Sequence, residues 1–328
     1  MKRGYSMTKK ALEQVMEFRR MMSGFWVSRL ILTANNFNIF NHLTVPRSAL
    51  AAAKILKTDG RATEIVLDAL TAIGLLRKAA GKYRTSPMAA NFLVDDAPYY
   101  QGDMVRHADT LWKNWSALDE SLKKGKPTRK AENYRVFINA MNNNASLRVR
   151  DVVNALDLKG VRSALDLGGG PGTYSREMAG RGVDVTLFDL PDAIAIARKI
   201  TKNAGARNIR FMAGDFLKNP IGTGYDLVFI SQVLHSLSER EILSLLRKSR
   251  ASLAPGGKIV IQEFSLDNER TSPVQGALFA VNMLVNTDAG RSYTAREIKG
   301  WLAKTGFSGV KEKRMNETVL ITAGKKKT

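Results

Sequence analysis

Between Ala164 and Leu190 the chain runs Ala-Leu-Asp-Leu-Gly-Gly-Gly-Pro-Gly-Thr-Tyr, then a helix-length stretch, then Val-Thr-Leu-Phe-Asp-Leu. This is a strand, a glycine-rich turn, a helix and a second strand ending in an acid, the opening unit of an α/β sheet. Gly168, Gly170 and Gly172 let backbone approach a ligand that side chains would exclude. Asp189 falls where a carboxylate can accept both hydroxyls of a ribose. The segment therefore predicts a nucleoside pocket.

The same alternation continues to the end of the chain. Strands are expected at Ser163–Leu167, Val183–Phe188, Ile209–Ala213, Leu227–Ser231 and Lys258–Glu263, with helices at Pro191–Asn203 and Glu239–Leu253. Val310–Arg314 and Thr318–Ala323 lie one short turn apart and can close the sheet as an antiparallel hairpin. The expected fold is α/β, a doubly wound, mostly parallel, seven-stranded Rossmann-like sheet. Before residue 155 the pattern is helical. Met21 to Phe40 carries an apolar stripe, and Ser48–Leu56, Arg61–Leu76 and Lys78–Thr85 read as helix, helix and hairpin, the order of a winged helix. Pro87–Leu93 opens another helical stretch that continues through Tyr99 to Leu122. The division expected is an N-terminal helical domain over 1–100, a helical linker over 101–155 that contributes to a substrate pocket, and a sheet domain over 156–328.

Composition narrows the function classes. None of the 328 residues is cysteine, which removes disulfides, thiolate metal sites and a cysteine nucleophile, and suits a cytoplasmic protein. The polar start, Met1 to Val15, does not read as a signal peptide. Phe25 to Thr33, the most apolar early window, is too short to span a bilayer. The net charge of +21 invites a nucleic-acid reading. The basic residues are dispersed, with clusters at Lys2-Arg3, Lys9-Lys10, Lys123 to Lys130 and Lys325 to Lys327. No aromatic residues alternate with them as a stacking platform requires.

Three further segments carry candidate chemistry at the carboxyl ends of the expected strands, where such sheets bind ligands. In Gly214-Asp215-Phe216, the acid can accept from an adenine amino group and the aromatic can cover the ring. In Ser231-Gln232-Val233-Leu234-His235, the imidazole stands at a central strand's edge and suits a general base at neutral pH. Gln262-Glu263 ends the next strand, and its carboxylate can orient that imidazole. A dinucleotide fingerprint fits poorly, because its last small position falls on Thr173 or Ser175.

The spacing Asp166-x-Gly168-x-Gly170-x-Gly172 resembles the first motif of class I S-adenosylmethionine-dependent methyltransferases. With Phe188-Asp189-Leu190-Pro191, Gly214-Asp215-Phe216, Leu234-His235 and Pro255-Gly256-Gly257-Lys258 in order, the chain resembles the O-methyltransferases that include plant caffeate and flavonoid enzymes and bacterial polyketide-tailoring ones. Gly24-Phe25-Trp26 and Leu67-Asp68-Ala69-Leu70 to Gly74-Leu75-Leu76 resemble that family's winged-helix dimerisation domain. The resemblance implies a homodimer and a cofactor site of Gly168, Gly170, Asp189, Leu190, Asp215, Phe216 and Ser231. It implies His235 as catalytic base with Glu263 beside it, and Phe137 and Met141 near the acceptor. Trp115 is a further candidate for that pocket.

Three positions depart from the family pattern. His235-Ser236-Leu237 replaces His-Asp-Trp, Ser231 stands where plant members have a lysine, and Ser292 stands where they have a second acid. The resulting expectation is methyl transfer from S-adenosylmethionine, without a metal, to a hydroxyl of an aromatic or polycyclic small molecule. Competing readings are C- or N-methylation of a tetrapyrrole or heterocycle, a winged-helix DNA-binding regulator that senses a nucleoside, and a nicotinamide-dependent oxidoreductase. No specific nucleic-acid partner is expected, since Ile65, Val66, Leu67, Leu70 and Ile73 leave the would-be recognition helix few polar side chains.

Overall fold

The computed structural model describes residues 7–128 and 133–325, so Lys2-Arg3, Lys130 and Lys326-Lys327 lie outside the described residues. Two compact units divide between Asp109 and Thr110.

The first unit begins with α1 (Lys9–Asn36), twelve residues earlier than the apolar stripe predicts. Thr8 caps it by accepting from the Ala11 N–H, and in the turns that follow Leu12, Val15 and Met16 stand at helical spacing among charged residues. The helix ends at Phe37, and Asn38 turns the chain through a left-handed φ of 55° into α2 (Ile39–His42). Then come β1 (Arg47–Ser48), α3 (Ala49–Leu56), α4 (Gly60–Ala72), β2 (Leu76–Ala79), β3 (Lys82–Thr85), α5 (Pro87–Leu93) and α6 (Gly102–Trp115), the last crossing the boundary. The helix, helix, hairpin order is the expected one, with β1 added to give a sheet ordered β1-β3-β2. Its core gathers Phe40, Leu43, Leu67, Leu70, Leu76 and Tyr83. The first three turns and the middle of α1 instead expose large apolar side chains, among them Phe18 at 61%, Met21 at 70% and Trp26 at 67%.

In the second unit, α7 (Leu118–Lys124), α8 (Tyr134–Ser146) and α9 (Val149–Ala155) precede the sheet. The single helical run expected from Tyr99 to Leu122 is two helices, broken at Ser116-Ala117. The sheet segment follows as β4 (Ser163–Leu167), α10 (Thr173–Ala179), β5 (Asp184–Asp189), α11 (Pro191–Asn203), β6 (Ile209–Ala213) and β7 (Tyr225–Ser231). It closes with α12 (Glu239–Ser252), β8 (Leu253–Phe264), α13 (Val274–Asn286), α14 (Ala295–Lys304), β9 (Phe307–Met315) and β10 (Thr318–Lys325).

Seven strands pair in the order β6-β5-β4-β7-β8-β10-β9. The first five are parallel, and β10 joins antiparallel to both β8 and β9. β4 and β7 bury nearly every residue because helices cover both faces. α12 shows how local sequence serves that packing. Ser238 and Glu241 form a reciprocal capping box at its start, and Ile242, Leu245 and Leu246 bury one face. Each of these three aliphatics contributes about 1.5–3 kcal/mol by leaving water.

The chain builds outward from β4 through β5 to β6, then returns to place β7 on the other side of β4. The turns after β4 and β7 therefore diverge and leave a crevice at the carboxyl ends of the strands, as the general rule for such sheets requires.

Candidate active site

A cavity of about 240 Å³ occupies that crevice. Its floor is the turn after β4, with Asp166, Gly168 and Gly170 facing Asp189 from β5, Phe216 from the turn after β6, and Ser231 and His235 from the turn after β7. α8 contributes Tyr134, Phe137, Ile138 and Met141 from above. A larger cleft of about 520 Å³, lined by Arg176, Glu177 and Asn208, holds none of the residues expected in the site.

The glycine turn is shaped for close approach. Gly168 has φ +73°, and a Cβ there would stand 2.6 Å from Val233 Cγ2. Gly170, at φ +51°, has open space within 4 Å of where its Cβ would be. The turn thus packs on the β7 side and leaves bare backbone toward the cavity. Asp189 anchors it: Oδ2 accepts from the Gly170 N–H at 2.7 Å and Oδ1 from the Leu190 N–H at 2.7 Å. Each oxygen keeps a second lone pair for a ligand hydroxyl. Burial pushes the Asp189 carboxyl above its ordinary range, against the two backbone donors.

Asp166 is the residue that sequence reasoning left without a role. It is 1% exposed and lines the cavity. Oδ2 accepts from Ser175 Oγ at 2.6 Å, while Oδ1 is buried with no partner. Burial, with the nearby Asp189 charge adding to it, pushes its carboxyl up to about 6. The motif spacing contained the signal, since the acid precedes the first glycine by two positions on an apolar strand.

His235 lies in a 3-10 turn, Leu234–Ser236. The turn begins after Gln232, whose φ of +55° bends the chain off β7. Glu263, 3% exposed, reaches under it from β8. Oε2 sits 2.8 Å from His235 Nδ1, and Oε1 accepts from the His235 backbone N–H at 3.3 Å. The carboxylate fixes Nδ1 as the protonated nitrogen, which leaves Nε2 as the acceptor. Phe279 from α13 packs edge-on to the imidazole at 4.9 Å between ring centroids, and Phe264 lies at 6.0 Å. A Cβ on Gly290 would collide with the His235 carbonyl oxygen. Only glycine permits so close a backbone approach.

The other expected residues divide between the cavity and its surroundings. The Asp215 carboxylate folds back on its own turn, accepting from the Leu217 N–H at 2.9 Å and pairing with Lys218 at 3.1 Å, so Phe216 alone of that pair lines the cavity. Leu190 is 44% exposed, and only its backbone engages Asp189. Trp115 is not among the lining residues; its indole N–H donates to Asn282 Oδ1 at 2.9 Å. Ser231 lines the cavity and donates to Gln262 Oε1 at 2.9 Å. Ser292, buried, donates to the Gly276 carbonyl at 2.8 Å. No group of three or more His, Asp or Glu able to hold a metal occurs among the described residues. No helix there is long and apolar enough to cross a membrane.

Comparison with known proteins gives this geometry a context. The signature of an O-methyltransferase domain matches residues 104–308, and that of an O-methyltransferase dimerisation domain matches residues 19–95. The chain is 31% identical to the 3-hydroxy-5-methyl-1-naphthoate 3-O-methyltransferase of Streptomyces sahachiroi over 308 residues, 89% of each chain. It is 29% identical to the tetracenomycin polyketide synthesis 8-O-methyltransferase of Streptomyces glaucescens over 321 residues, 92% of this chain and 94% of that one. Among solved structures, human N-acetylserotonin methyltransferase in complex with S-adenosylmethionine superposes with a TM-score of 0.87 at 26% identity, covering 99% of this chain and 100% of that one. With a matched catalytic signature over more than half its length and a relative above 30% identity along most of it, the chain belongs to the O-methyltransferase family.

Proposed function

We propose that this protein methylates a hydroxyl of an aromatic or polycyclic small molecule, using S-adenosylmethionine as the methyl source and His235 as the general base. The observation that carries the reading is that His235, oriented through Nδ1 by a buried carboxylate, lines the same cavity as Asp189 and the glycine turn.

The residues present fit that cofactor. Backbone bared at Gly170 admits an adenosyl group, Asp189 offers lone pairs to ribose hydroxyls, and Phe216 offers a face for the adenine ring. Asp166 Oδ1, buried without a partner, suits a cationic donor at the amino-acid end. When bound, S-adenosylmethionine supplies a methyl group already activated on a sulfonium. The protein's own work is then alignment and proton removal. Phe137 and Met141 hold an apolar acceptor against the cavity, and proximity of this kind can be worth up to ~7–11 kcal/mol. A phenol near its ordinary pKa of ~10 is mostly neutral at pH 7. Proton transfer to His235 Nε2 adds about 10²–10⁴-fold, and Glu263 stabilises the imidazolium that results.

The helices over 101–155 form the acceptor side of the pocket in this reading, with the sheet domain from 156 onward holding the cofactor. The exposed apolar side chains of α1 pair with a second copy to give a homodimer, consistent with the dimerisation signature over 19–95. A chain of 328 residues without cysteine fits a cytoplasmic setting.

The test is transfer of a labelled methyl group from S-adenosylmethionine to a panel of small phenols, including hydroxynaphthoates and hydroxyindoles, without added metal. Methyl ether formation with at least one member, abolished in His235→Ala while cofactor binding persists, is the expected result. Transfer only to carbon or nitrogen acceptors, indifferent to His235, would overturn it.

A further inference from the structure

One charged side chain beside the cavity has no opposite charge to meet. Arg176, on α10, is half-buried at the edge of the larger cleft, and among the described residues no carboxylate pairs with it; the adjacent Glu177 pairs with Arg181 at 2.7 Å instead. Its guanidinium spends its donors on two neutral oxygens from different parts of the fold. Nη1 donates to the Pro171 carbonyl at 2.9 Å, inside the glycine turn, and Nη2 donates to Asn142 Oδ1 at 2.9 Å, on α8. The same Asn142 oxygen accepts from Thr173 Oγ1, the first residue of α10, at 2.8 Å. Burial lowers the Arg176 pKa, so the charge is held at a cost. A planar fork that reaches two acceptors at fixed angles repays such a cost where geometry matters.

What the fork joins is informative. Pro171 and Thr173 line the cofactor side of the cavity, while Asn142 follows Met141 on the helix whose Tyr134, Phe137 and Met141 line the other side. Asn142 on α8 and the α10 residues Thr173 and Arg176 are 31 and 34 residues apart in sequence and meet at one side-chain oxygen, and Arg176 carries the link on to the glycine turn at the Pro171 carbonyl.

We infer that Arg176 and Asn142 form a tether through which cofactor seated on the glycine turn orders helix α8 and so shapes the acceptor side of the pocket. Arg176 is a positioning residue in this account, since it touches neither cofactor nor acceptor. The inference rests on the cofactor reading above. A link of this kind is a coupling between two sites and is measurable as the effect of one ligand on the other site.

The experiment is hydrogen exchange across residues 134–146 with and without S-adenosylhomocysteine, in wild type, Arg176→Met, Asn142→Ala and Asn142→Asp. Wild type gains protection in α8 on binding. Both Arg176→Met and Asn142→Ala remove the Arg176–Asn142 bond and reduce that gain by at least about tenfold, the order expected for a hydrogen bond from a charged donor, while calorimetry shows S-adenosylhomocysteine still bound. Asn142→Asp keeps the acceptor oxygen and retains the gain. Asn142→Ala leaves the Pro171 bond intact, so the test stands even where Arg176→Met fails to fold. Undiminished protection in both variants, or none in wild type despite binding, overturns the tether. Absence of S-adenosylhomocysteine binding to wild type overturns the cofactor reading instead.

Discussion

Replacing Glu263 by glutamine separates orientation of the base from its presence. In the native site the two carboxylate oxygens serve His235 twice, Oε2 at Nδ1 (2.8 Å) and Oε1 at the backbone N–H (3.3 Å), from a position 3% exposed. Glutamine keeps the volume and one acceptor. Its NH2 then faces one of the two His235 donors, and no negative charge remains to balance an imidazolium. Loss of a hydrogen bond to a charged group costs about 1.5–3 kcal/mol, or roughly 10- to 150-fold in rate. The general-base contribution of about 10²–10⁴ sets the ceiling. Single-turnover transfer of labelled methyl from S-adenosylmethionine to an active phenol should therefore slow by about 10²-fold, with cofactor affinity within about twofold of wild type. The double variant Glu263→Gln/His235→Ala should be no slower than His235→Ala, because groups acting as a unit do not add. A wild-type rate for Glu263→Gln, or a double variant whose loss is the product of the two singles, would refute the pairing.

Asp166 makes stability depend on pH in the absence of cofactor. Its folded pKa is raised, from 3.8 to about 6. The stability this difference contributes is present below pH ~4 and lost as pH rises through ~6, a loss on the order of 3 kcal/mol. Melting curves should show Asp166→Asn gaining on wild type between pH 4 and pH 7, and a gap that stays constant with pH would refute this. On α1, Trp26→Lys adds charge to an exposed apolar stretch, and light scattering at micromolar concentration should detect monomer; an unaltered dimer would place the interface elsewhere.

The centre of the sheet was legible because β4 and β7 are short apolar runs buried on nearly every residue. β4 and β6 have the bounds that their apolar runs predict, β9 extends the predicted Val310–Arg314 at both ends, and β10 starts at the predicted Thr318 and runs two residues further. The start of α1 was missed although Leu12, Val15 and Met16 stand at helical spacing after the Thr8 cap, because the charged residues between them mask that spacing in a segment of polar composition. Spacing brought Gly168, Gly170, Asp189, Phe216 and His235 to one cavity because a parallel sheet aligns the ends of its strands. Spacing could not tell that Asp215 would satisfy its own turn. An aspartate followed by free backbone N–H groups closes a local ring, which the motif spacing does not reveal. The Arg176–Asn142 link was also hidden, since nothing local in either helix announces a bond to a partner 34 residues away.

The central claim is that one crevice holds the adenosyl group and the base together. A crystal structure with S-adenosylhomocysteine measures this directly. The account predicts both ribose hydroxyls on Asp189, adenine against Phe216, and His235 Nε2 turned to the same space as the sulfur. The ligand bound in another cavity, or an imidazole that stays turned away from it, would contradict the account.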